Sequence, residues 1–190
     1  CPRDWSYLFR GVATEPTFTG HTYRIFDNGH AVHDRLYSYL RGLDILIEEE
    51  IPLEYDDPPI RGTADGIIEW NGRKLIELKS ISQEGFHYRS LHMKPKDDHI
   101  RQAQIYMRCL NLKDGFVIYE NKNKAILPLY IERDDVYIDK LFKKWRKWYQ
   151  AFEDDLLPVR PYKITSPKCQ YCDVKAFCWG DDDEGTKMEK

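Results

Sequence analysis

Two acidic side chains and a lysine lie on either side of a turn signal in this 190-residue chain. Asp65 lies in "GTADG", Glu77 and Lys79 lie in "IELKS", and "NG" stands between the two segments. If both are strands of one hairpin, Glu77 and Lys79 share a face, and Asp65 approaches Glu77 with a small offset or bulge. These carboxylates and the Leu78 carbonyl suit Mg²⁺ or Mn²⁺, which activates water for attack on phosphorus. The alternative interpretation is a surface ion pair, because so short a pattern also arises by chance.

Polar side chains on two helical segments extend this set. His33 follows Gly29 by four residues in "GHAVH", and imidazole is a good ligand for Mn²⁺. In "HIRQAQIYM", the side chains of His99, Gln102 and Tyr106 fall on one helix face. This row either contacts a phosphate or base, or forms a half-buried polar stripe. A single helical histidine is more often a surface or core residue than a ligand.

The ordered set G-x-x-x-H, G-x-x-D, E-x-K and Q-x-x-x-Y, over residues 29–106, resembles the RecB-type branch of the PD-(D/E)xK nuclease superfamily. The resemblance implies a restriction-endonuclease-like fold and metal-dependent hydrolysis of DNA. The residues it implies for the metal and the reaction are His33, Asp65, Glu77, the Leu78 carbonyl and the catalytic Lys79. "GTADG" lacks the proline of the superfamily's name, as is common in this branch.

Three further residues take their roles from the same resemblance. Gln102 and Tyr106 are expected to organise the site or the DNA. His30, close to His33 on the same helix, is its main competitor for the histidine role.

Four of the five cysteines lie near the two ends of the chain: Cys1, Cys169, Cys172 and Cys178. The last three have the spacing C-x2-C-x5-C, and a structural metal site needs a fourth ligand, which Cys1 can supply. Thiolates suit zinc or an iron–sulfur cluster, so the chemistry leaves both open. Disulfides fit a reducing compartment poorly. Cys109, the fifth cysteine, is expected to pack as a small apolar side chain.

The cysteine in "CPR", the nuclease-like motifs and then C-x2-C-x5-C together resemble the iron–sulfur staple of AddB-type helicase-nucleases and of CRISPR-associated exonucleases. In those families a [4Fe-4S] cluster joins the two ends of the nuclease domain. The resemblance therefore extends over nearly the whole chain. It implies a structural cluster held by Cys1, Cys169, Cys172 and Cys178.

Residue periodicity predicts the elements that position these side chains. A short helix follows "CPR", and "NGHAVHDRLYSYLRGL" predicts a longer one with Asn28 as its cap. The segments "ILIEEEIPLEY", "GTADGIIEW" and "RKLIELKSI" are typical of strands. A helix over 97–111, strands in "GFVIYE" and "AILPLYI", and an amphipathic helix over 135–152 follow. This order predicts an α/β (α+β) domain whose mixed central sheet is flanked by helices.

Composition limits the class of protein. With 42% hydrophobic and 32% charged residues the chain is globular, and its length predicts one domain over 1–180 and an acidic, disordered tail over 181–190. Neither a membrane span nor a signal peptide is visible, which favours a cytoplasmic protein without membrane partners. The start at Cys1 rather than Met indicates a missing N-terminal piece. A net charge of −3 argues against a uniformly basic, DNA-coating protein.

Two segments are candidates for contacting DNA. In "DKLFKKWRKWYQAF" the aromatic side chains at 142, 145, 149 and 152 are expected to face the core, while the lysines offer salt-sensitive phosphate contacts. The segment "FHYRSLHMKPKDD" is expected to border the active site as a mobile lid, with aromatic rings that stack on bases of single-stranded DNA.

Together these features predict an Mg²⁺- or Mn²⁺-dependent DNA exonuclease that prefers single-stranded ends. Its expected pathway is DNA recombination, repair or replication, including a phage recombination or replication role, or CRISPR spacer processing. Its expected partners are DNA and a helicase, a single-strand-binding protein or an adaptation complex. One alternative is a non-catalytic DNA-binding or scaffolding subunit of a larger helicase-nuclease or adaptation complex. A zinc-stapled, sequence-specific endonuclease is another.

Overall fold

The computed structural model describes residues 1–12, 18–180 and 185. The chain divides into two compact units, one of Cys1–Phe18 with Lys140–Lys190 and the other of Thr19–Asp139. The predicted disordered tail lies outside the described residues except for Gly185. All the residues predicted for the metal and the reaction belong to the second unit, and the four terminal cysteines belong to the first.

The second unit contains a five-stranded sheet in the order β1-β2-β3-β4-β5. The strands are β1 Leu46–Tyr55, β2 Ile60–Glu69, β3 Arg73–Ile81, β4 Asp114–Asn121 and β5 Ile126–Glu132. The β3–β4 pair is parallel and the other three pairs are antiparallel. The predicted mixed sheet flanked by helices is confirmed, and each predicted strand segment forms a strand.

The helices are α1 Pro2–Phe9, α2 Gly20–Gly42, α3 Gln83–His92, α4 Asp97–Cys109, α5 Asp135–Glu153, α6 Pro167–Gln170 and α7 Lys175–Gly180. They begin and end close to the predicted positions, except that α6 and α7 were not predicted and that α3 and the start of α2 differ from the prediction. The sequence interpretation assigned α3 to a mobile lid. Among the described residues, no helix is both long and apolar enough to cross a bilayer.

At the start of α2 the predicted cap was wrong. The helix begins two turns earlier, after Thr19, whose side chain accepts a hydrogen bond from the backbone N–H of Thr22 at 3.3 Å. Asn28 therefore lies inside the helix, and its side-chain amide donates to the Ser80 hydroxyl at 2.9 Å. A tertiary contact satisfies the polar group that sequence reasoning assigned to a cap.

Helices cover the two faces of the sheet and bury a hydrophobic core on each. On one face, Ala103 and Met107 of α4 pack with side chains that include Leu75. On the other face, Val32 and Leu36 of α2 pack with apolar side chains of the central strands, namely Ile68, Ile76, Leu78 and Ile118. Because side chains alternate along a strand, Glu77 and Lys79 share the α4 face with Leu75.

The hairpin between β2 and β3 determines which residues meet. Its pairs run from Glu69 with Arg73 to Gly66 with Ile76, so Trp70–Gly72 form a three-residue connection. Asn71 and Gly72 both have positive φ values, 52° and 98°, which asparagine and glycine tolerate best.

One step beyond the last hairpin pair, Asp65 and Glu77 come level with each other. The offset that the sequence interpretation required is thus supplied by the loop length. Past this point β2 pairs only with β1, and β3 pairs only with β4. The two carboxylates therefore lie where the paired strands separate.

In the first unit, α1 packs against residues of α5 that belong to the same unit. The Trp5 ring lies 5.2 Å from the rings of both Trp145 and Trp148, measured between centroids. The Phe9 ring lies 5.4 Å from that of Phe152. The aromatic side chains predicted to form a core-facing stripe are accordingly buried or half-buried, and the basic side chains between them are exposed.

Candidate active site

The Asp65 carboxylate is fixed by the opposite strand. Its Oδ2 accepts a hydrogen bond from the backbone N–H of Leu78 at 2.6 Å, across the point where β2 and β3 separate. Glu77 is fully buried, and its Oε1 forms an ion pair with the Lys79 ammonium. Its Oε2 is also buried and has no hydrogen-bond partner within the described residues. An orphaned carboxylate oxygen in the interior is costly unless a cation or proton compensates it.

Electrostatic interactions tie the three groups together. Burial, followed by the charge of Asp65, raises the pKa of Glu77 to about 7. Burial also raises the pKa of Asp65, although the Leu78 hydrogen bond and the His33 and Lys79 charges oppose the shift. Burial alone would lower the pKa of Lys79, but the Glu77 carboxylate outweighs it and raises the pKa. Lys79 therefore stays charged, while the two carboxylates strongly favour an additional positive charge nearby.

His33 reaches the same carboxylate from α2. Its Nδ1 lies 3.8 Å from Asp65 Oδ1, and its Nε2 lies 3.2 Å from the Leu78 carbonyl oxygen. His30, the competing histidine, is exposed to solvent. The structure thus brings His33, Asp65 and the Leu78 carbonyl together, next to Glu77.

Two contacts hold the part of α2 that carries His33 against the sheet. Arg35 binds the buried Glu120 of β4 with two nitrogens, one of them Nε at 3.1 Å from Oε2. Asn28 binds Ser80 at the end of β3. Paired guanidinium–carboxylate contacts are geometrically specific, so they restrict how α2 can slide along the strands.

Gln102 and Tyr106 lie one turn apart on α4 and are bonded to each other. The Gln102 amide donates to the Tyr106 hydroxyl oxygen at 3.1 Å, which leaves the phenolic proton available for donation elsewhere. Burial, opposed by the Gln102 hydrogen bond and aided by the charges of Glu77 and Asp65, raises the pKa of Tyr106. The hydroxyl is therefore protonated at neutral pH and lies within the electrostatic field of the carboxylates.

The donor set suits a hard divalent cation, although it is not a closed metal cage. In the part of the chain that the structure describes, no group of three or more His, Cys, Asp or Glu side chains is arranged to hold a metal ion. One of the oxygens that would bind a cation, Glu77 Oε1, is paired with Lys79. Glu77 Oε2 nevertheless has no hydrogen-bond partner among the described residues, and the Glu77 and Asp65 charges repel each other. A bound cation would compensate both effects.

Sequence reasoning missed Tyr37 of α2, which contacts Asp65, and Glu50 of β1, which contacts Tyr37 and acts on Asp65 through its charge. The Tyr37 hydroxyl lies 2.6 Å from the Asp65 backbone oxygen and 3.2 Å from Oε1 of Glu50. Glu50 has a positive φ of 52°, and its negative charge contributes to the raised pKa of Asp65. The one available signal was the position of Tyr37, four residues after His33 on the same helix face.

A third missed residue, Tyr119, links β4, the neighbour of the strand that carries Glu77 and Lys79, to α4. Tyr119 is fully buried and is the register partner of Lys79 on β4. Its hydroxyl accepts from the backbone N–H of Lys96 at 3.0 Å and lies 2.7 Å from Nδ1 of His99. This hydroxyl joins the start of α4 to the strand beside the candidate site.

The four terminal cysteines line one small cavity of the first unit. Cys172 Sγ lies 3.8 Å from Asp4 Oδ1, and burial raises the pKa of its thiol, as do the nearby Asp4, Cys178 and Cys169. Arg160 and Lys168 line the same cavity, and their positive charges would offset those of thiolates. Four thiols equal the ligand number of a [4Fe-4S] cluster or a structural zinc, although among the described residues no three of them are arranged to hold a metal ion.

Comparison with known proteins gives matches to solved structures. No protein-family model and no curated protein matches the chain. An alkaline exonuclease, LHK-Exo from Laribacter hongkongensis, is similar with a TM-score of 0.58 and 19% identity, over 68% of this chain and 69% of that one. LHK-Exo in complex with dAMP matches with a TM-score of 0.61 and 17% identity, over 81% of this chain and 87% of that one. SSO0001 matches with a TM-score of 0.53 and 20% identity, over 94% of this chain and 81% of that one. At these identities the matches show a shared fold.

We predict that His33→Ala weakens Mn²⁺ binding by roughly tenfold or more, because it removes an imidazole beside Asp65. His30→Ala is the matched control, because it removes an exposed imidazole three residues earlier on the same helix. Electron paramagnetic resonance of free Mn²⁺ during titration measures the affinity of each variant. Weaker binding in His30→Ala but not in His33→Ala would transfer the role to His30.

Proposed function

We propose that this protein is a divalent-metal-dependent exonuclease that hydrolyses DNA phosphodiester bonds and prefers single-stranded ends. The observation that carries the proposal is the meeting of Asp65, Glu77 and Lys79 where β2 and β3 separate, beside His33. The fold shared with LHK-Exo, which is named as an alkaline exonuclease, supports the same class of activity. A cytoplasmic location and a role in DNA recombination, repair, replication or CRISPR spacer processing belong to the proposal.

The residues that would hold the cation are His33, Asp65, Glu77 and the Leu78 carbonyl. When bound, Mg²⁺ or Mn²⁺ supplies Lewis acidity to a water and to the phosphodiester. The Asp65 side chain is aligned for this role by the Leu78 N–H, and its backbone is held by the Tyr37 hydroxyl. Preorganisation of this kind avoids moving the ligands during the reaction.

Lys79 acts as a charge and hydrogen-bond donor rather than as a base. Its raised pKa keeps the ammonium protonated, so it can orient a water or stabilise negative charge on a phosphate oxygen. Tyr106 offers a second donor, because Gln102 occupies its oxygen and leaves the hydroxyl proton for a phosphate. The proton released by the attacking water then leaves to solvent or to a substrate oxygen.

We also propose that Cys1, Cys169, Cys172 and Cys178 hold a [4Fe-4S] cluster with a structural role. The support is the cavity that all four line and the basic side chains around it. A zinc ion would use the same thiols, and metal analysis of anaerobically purified protein separates the two.

Digestion of end-labelled DNA tests the proposed activity directly. We expect the wild-type protein with Mn²⁺ to shorten single-stranded DNA progressively from an end, more slowly for blunt duplexes, and not at all in EDTA. We predict that Lys79→Met lowers the rate by on the order of 10²–10³-fold, because it removes a half-buried donor while keeping the side-chain volume.

Lys113→Met, which removes an exposed charge, is the matched control and should cleave normally. Both variants should bind DNA in EDTA as the wild type does, because phosphate contacts elsewhere are retained. A wild-type protein that binds DNA but never cleaves it would support the scaffolding alternative instead.

A further inference from the structure

A polar cavity of about 630 Å³ lies between α3 and the start of α4, in the same unit as the candidate active site. Tyr88, Arg89 and His92 of α3 line it on one side. Lys94, Asp98 and Arg101 are among the side chains that line it on the other. This volume lies in the range of nucleotide-sized ligand sites, but the lining is charged and aromatic rather than apolar.

The charge of the lining favours an anion. Four of its side chains are basic and two are acidic, apart from His92. The two aspartates are engaged by cations of the cavity itself, with Lys94 at 3.1 Å from Asp97 and Arg101 at 3.2 Å from Asp98. Arg89 has a different environment, since it donates to the Lys94 carbonyl at 3.4 Å and lies 4.6 Å from the centre of the Tyr88 ring. The Arg89 guanidinium thus lies over one face of the Tyr88 ring, which leaves the rest of the exposed ring for other contacts.

The aromatic part of the lining is a ring pair that solvent reaches. The Tyr88 and His92 rings lie 4.2 Å apart between centroids, and Tyr88 keeps 52% of its surface exposed. Exposed rings next to a guanidinium are the arrangement on which unpaired bases stack in proteins that bind single strands. Paired bases offer no such free face away from a duplex end.

The cavity is joined to the candidate active site through Tyr119. The Tyr119 hydroxyl binds the backbone of Lys96, which also lines the cavity, and Tyr119 is the strand neighbour of Lys79. Tyr119 therefore contacts a residue of the cavity wall and lies beside the strand that carries Lys79, since neighbouring strands lie about 5 Å apart. The pKa of His99 is lowered to about 4. Burial is the largest cause, followed by the positive charges of Lys79 and Lys96 and a smaller contribution from Arg89.

We infer that this cavity binds one nucleotide unit of a single DNA strand next to the bond that is cut, with the base on the Tyr88–His92 rings and a phosphate on Arg89. The inference rests on the proposed nuclease function and explains why that function should prefer unpaired ends. A free mononucleotide has the same chemistry as this unit, so the test must distinguish a nucleotide within a DNA strand from a free one.

Binding measured without catalysis provides the test. Fluorescence anisotropy of labelled dT12 in EDTA reports the affinity for the strand, because EDTA removes the divalent cation that cleavage requires. Tyr88→Leu should weaken binding about tenfold, because stacking of one base is lost, and Tyr88→Phe should bind as the wild type does. Arg89→Ala should weaken binding and reduce the slope of log affinity against log salt by about one. None of these variants should change binding to the interior of a long, closed circular duplex.

Matched controls remove the same groups elsewhere. Tyr23→Leu removes an exposed tyrosine of α2, and Arg73→Ala removes an exposed arginine at the hairpin. Both should bind dT12 as the wild type does. Competition by dTMP distinguishes a free nucleotide from one within a strand. If dTMP displaces dT12 in a way that depends on Tyr88, the cavity also accepts the free nucleotide. If dTMP does not displace dT12, the cavity needs a strand.

Unchanged dT12 affinity in Tyr88→Leu would overturn the inference, even if Arg89→Ala binds more weakly, because a purely electrostatic contact would then suffice. If the wild type cleaves DNA and Tyr88→Leu binds normally, the cavity assignment fails while the nuclease stands. If the wild type binds dT12 through Tyr88 but cleaves nothing, the cavity stands and the nuclease fails.

Discussion

Replacing Glu77 with glutamine is expected to reduce DNA cleavage by at least about 10³-fold, equivalent to about 4 kcal/mol of transition-state stabilisation. The substitution keeps the size of a fully buried side chain and removes the charge that, with Asp65, draws a cation to the site. Rates of digestion of end-labelled single-stranded DNA at saturating Mn²⁺ measure the effect.

Metal binding by the same variant has a readout that does not depend on cleavage. At about 100 times its dissociation constant, Mn²⁺ stabilises the wild type by about 2.7 kcal/mol, which raises Tm by roughly 5–10 °C. Glu77→Gln should lose most of this rise. In EDTA its Tm should stay close to that of the wild type, because relief of a buried charge and loss of the Lys79 ion pair have opposite effects on stability.

Glu48→Gln is the matched control, since it changes an exposed glutamate on β1. It should retain both cleavage and the rise of Tm with Mn²⁺. Full activity in Glu77→Gln would remove this carboxylate from the mechanism. A lost Mn²⁺ response with unchanged cleavage would show that the cation at Glu77 does not take part in the reaction.

Cys1→Ala is expected to bleach a protein that is brown after anaerobic purification and carries about four irons per chain. It should also lower Tm by roughly 10–20 °C. The ligated site would close a loop on the order of 170 residues, from Cys1 to Cys169, for which the chain-entropy relation gives about 5 kcal/mol. Iron analysis, visible absorbance and thermal unfolding measure the three effects, and α6 and α7 should become sensitive to protease.

Cys109→Ala is the control, because Cys109 lies against the hydrophobic core of the sheet rather than in the cysteine cavity. It should keep its colour and iron. A colourless wild-type protein with one zinc per chain would show that the four cysteines hold zinc instead of a cluster, and the link between the two ends of the chain would stand. A Cys1→Ala protein with full iron content and unchanged Tm would refute the proposal that a metal site links the two ends of the chain.

The strands near the candidate site could be predicted from sequence because β-branched runs and a turn signal act locally. The segments around Asp65 and Glu77 formed β2 and β3 as expected. What the sequence left open was the loop length, because "NG" fits a two-residue turn as well as the observed Trp70–Gly72 connection. That one-residue difference decides which side chain lies level with Asp65.

Helix α3 and the start of α2 show where local signals were overlooked or misleading. No side chain of α3 is buried, so it lacks the apolar periodicity that reveals a helix, although Ser82 caps it by accepting from the Gly85 N–H at 3.1 Å. Asn28 has the right residue type for a cap, but its amide is used by Ser80, which is distant in sequence. The contacts of Tyr37 with Glu50 and Asp65 likewise depend on tertiary packing.

The three-residue connection Trp70–Gly72 has a consequence for how this protein can vary over evolution. Surface hairpin loops ordinarily tolerate insertions and deletions. Here a gain or loss of one residue would place a neighbour of Glu77 level with Asp65, and its side chain would point to the opposite face. Among functional descendants, the length of this exposed loop should therefore be more constrained than its residue identities, with asparagine and glycine replaceable before any change of length.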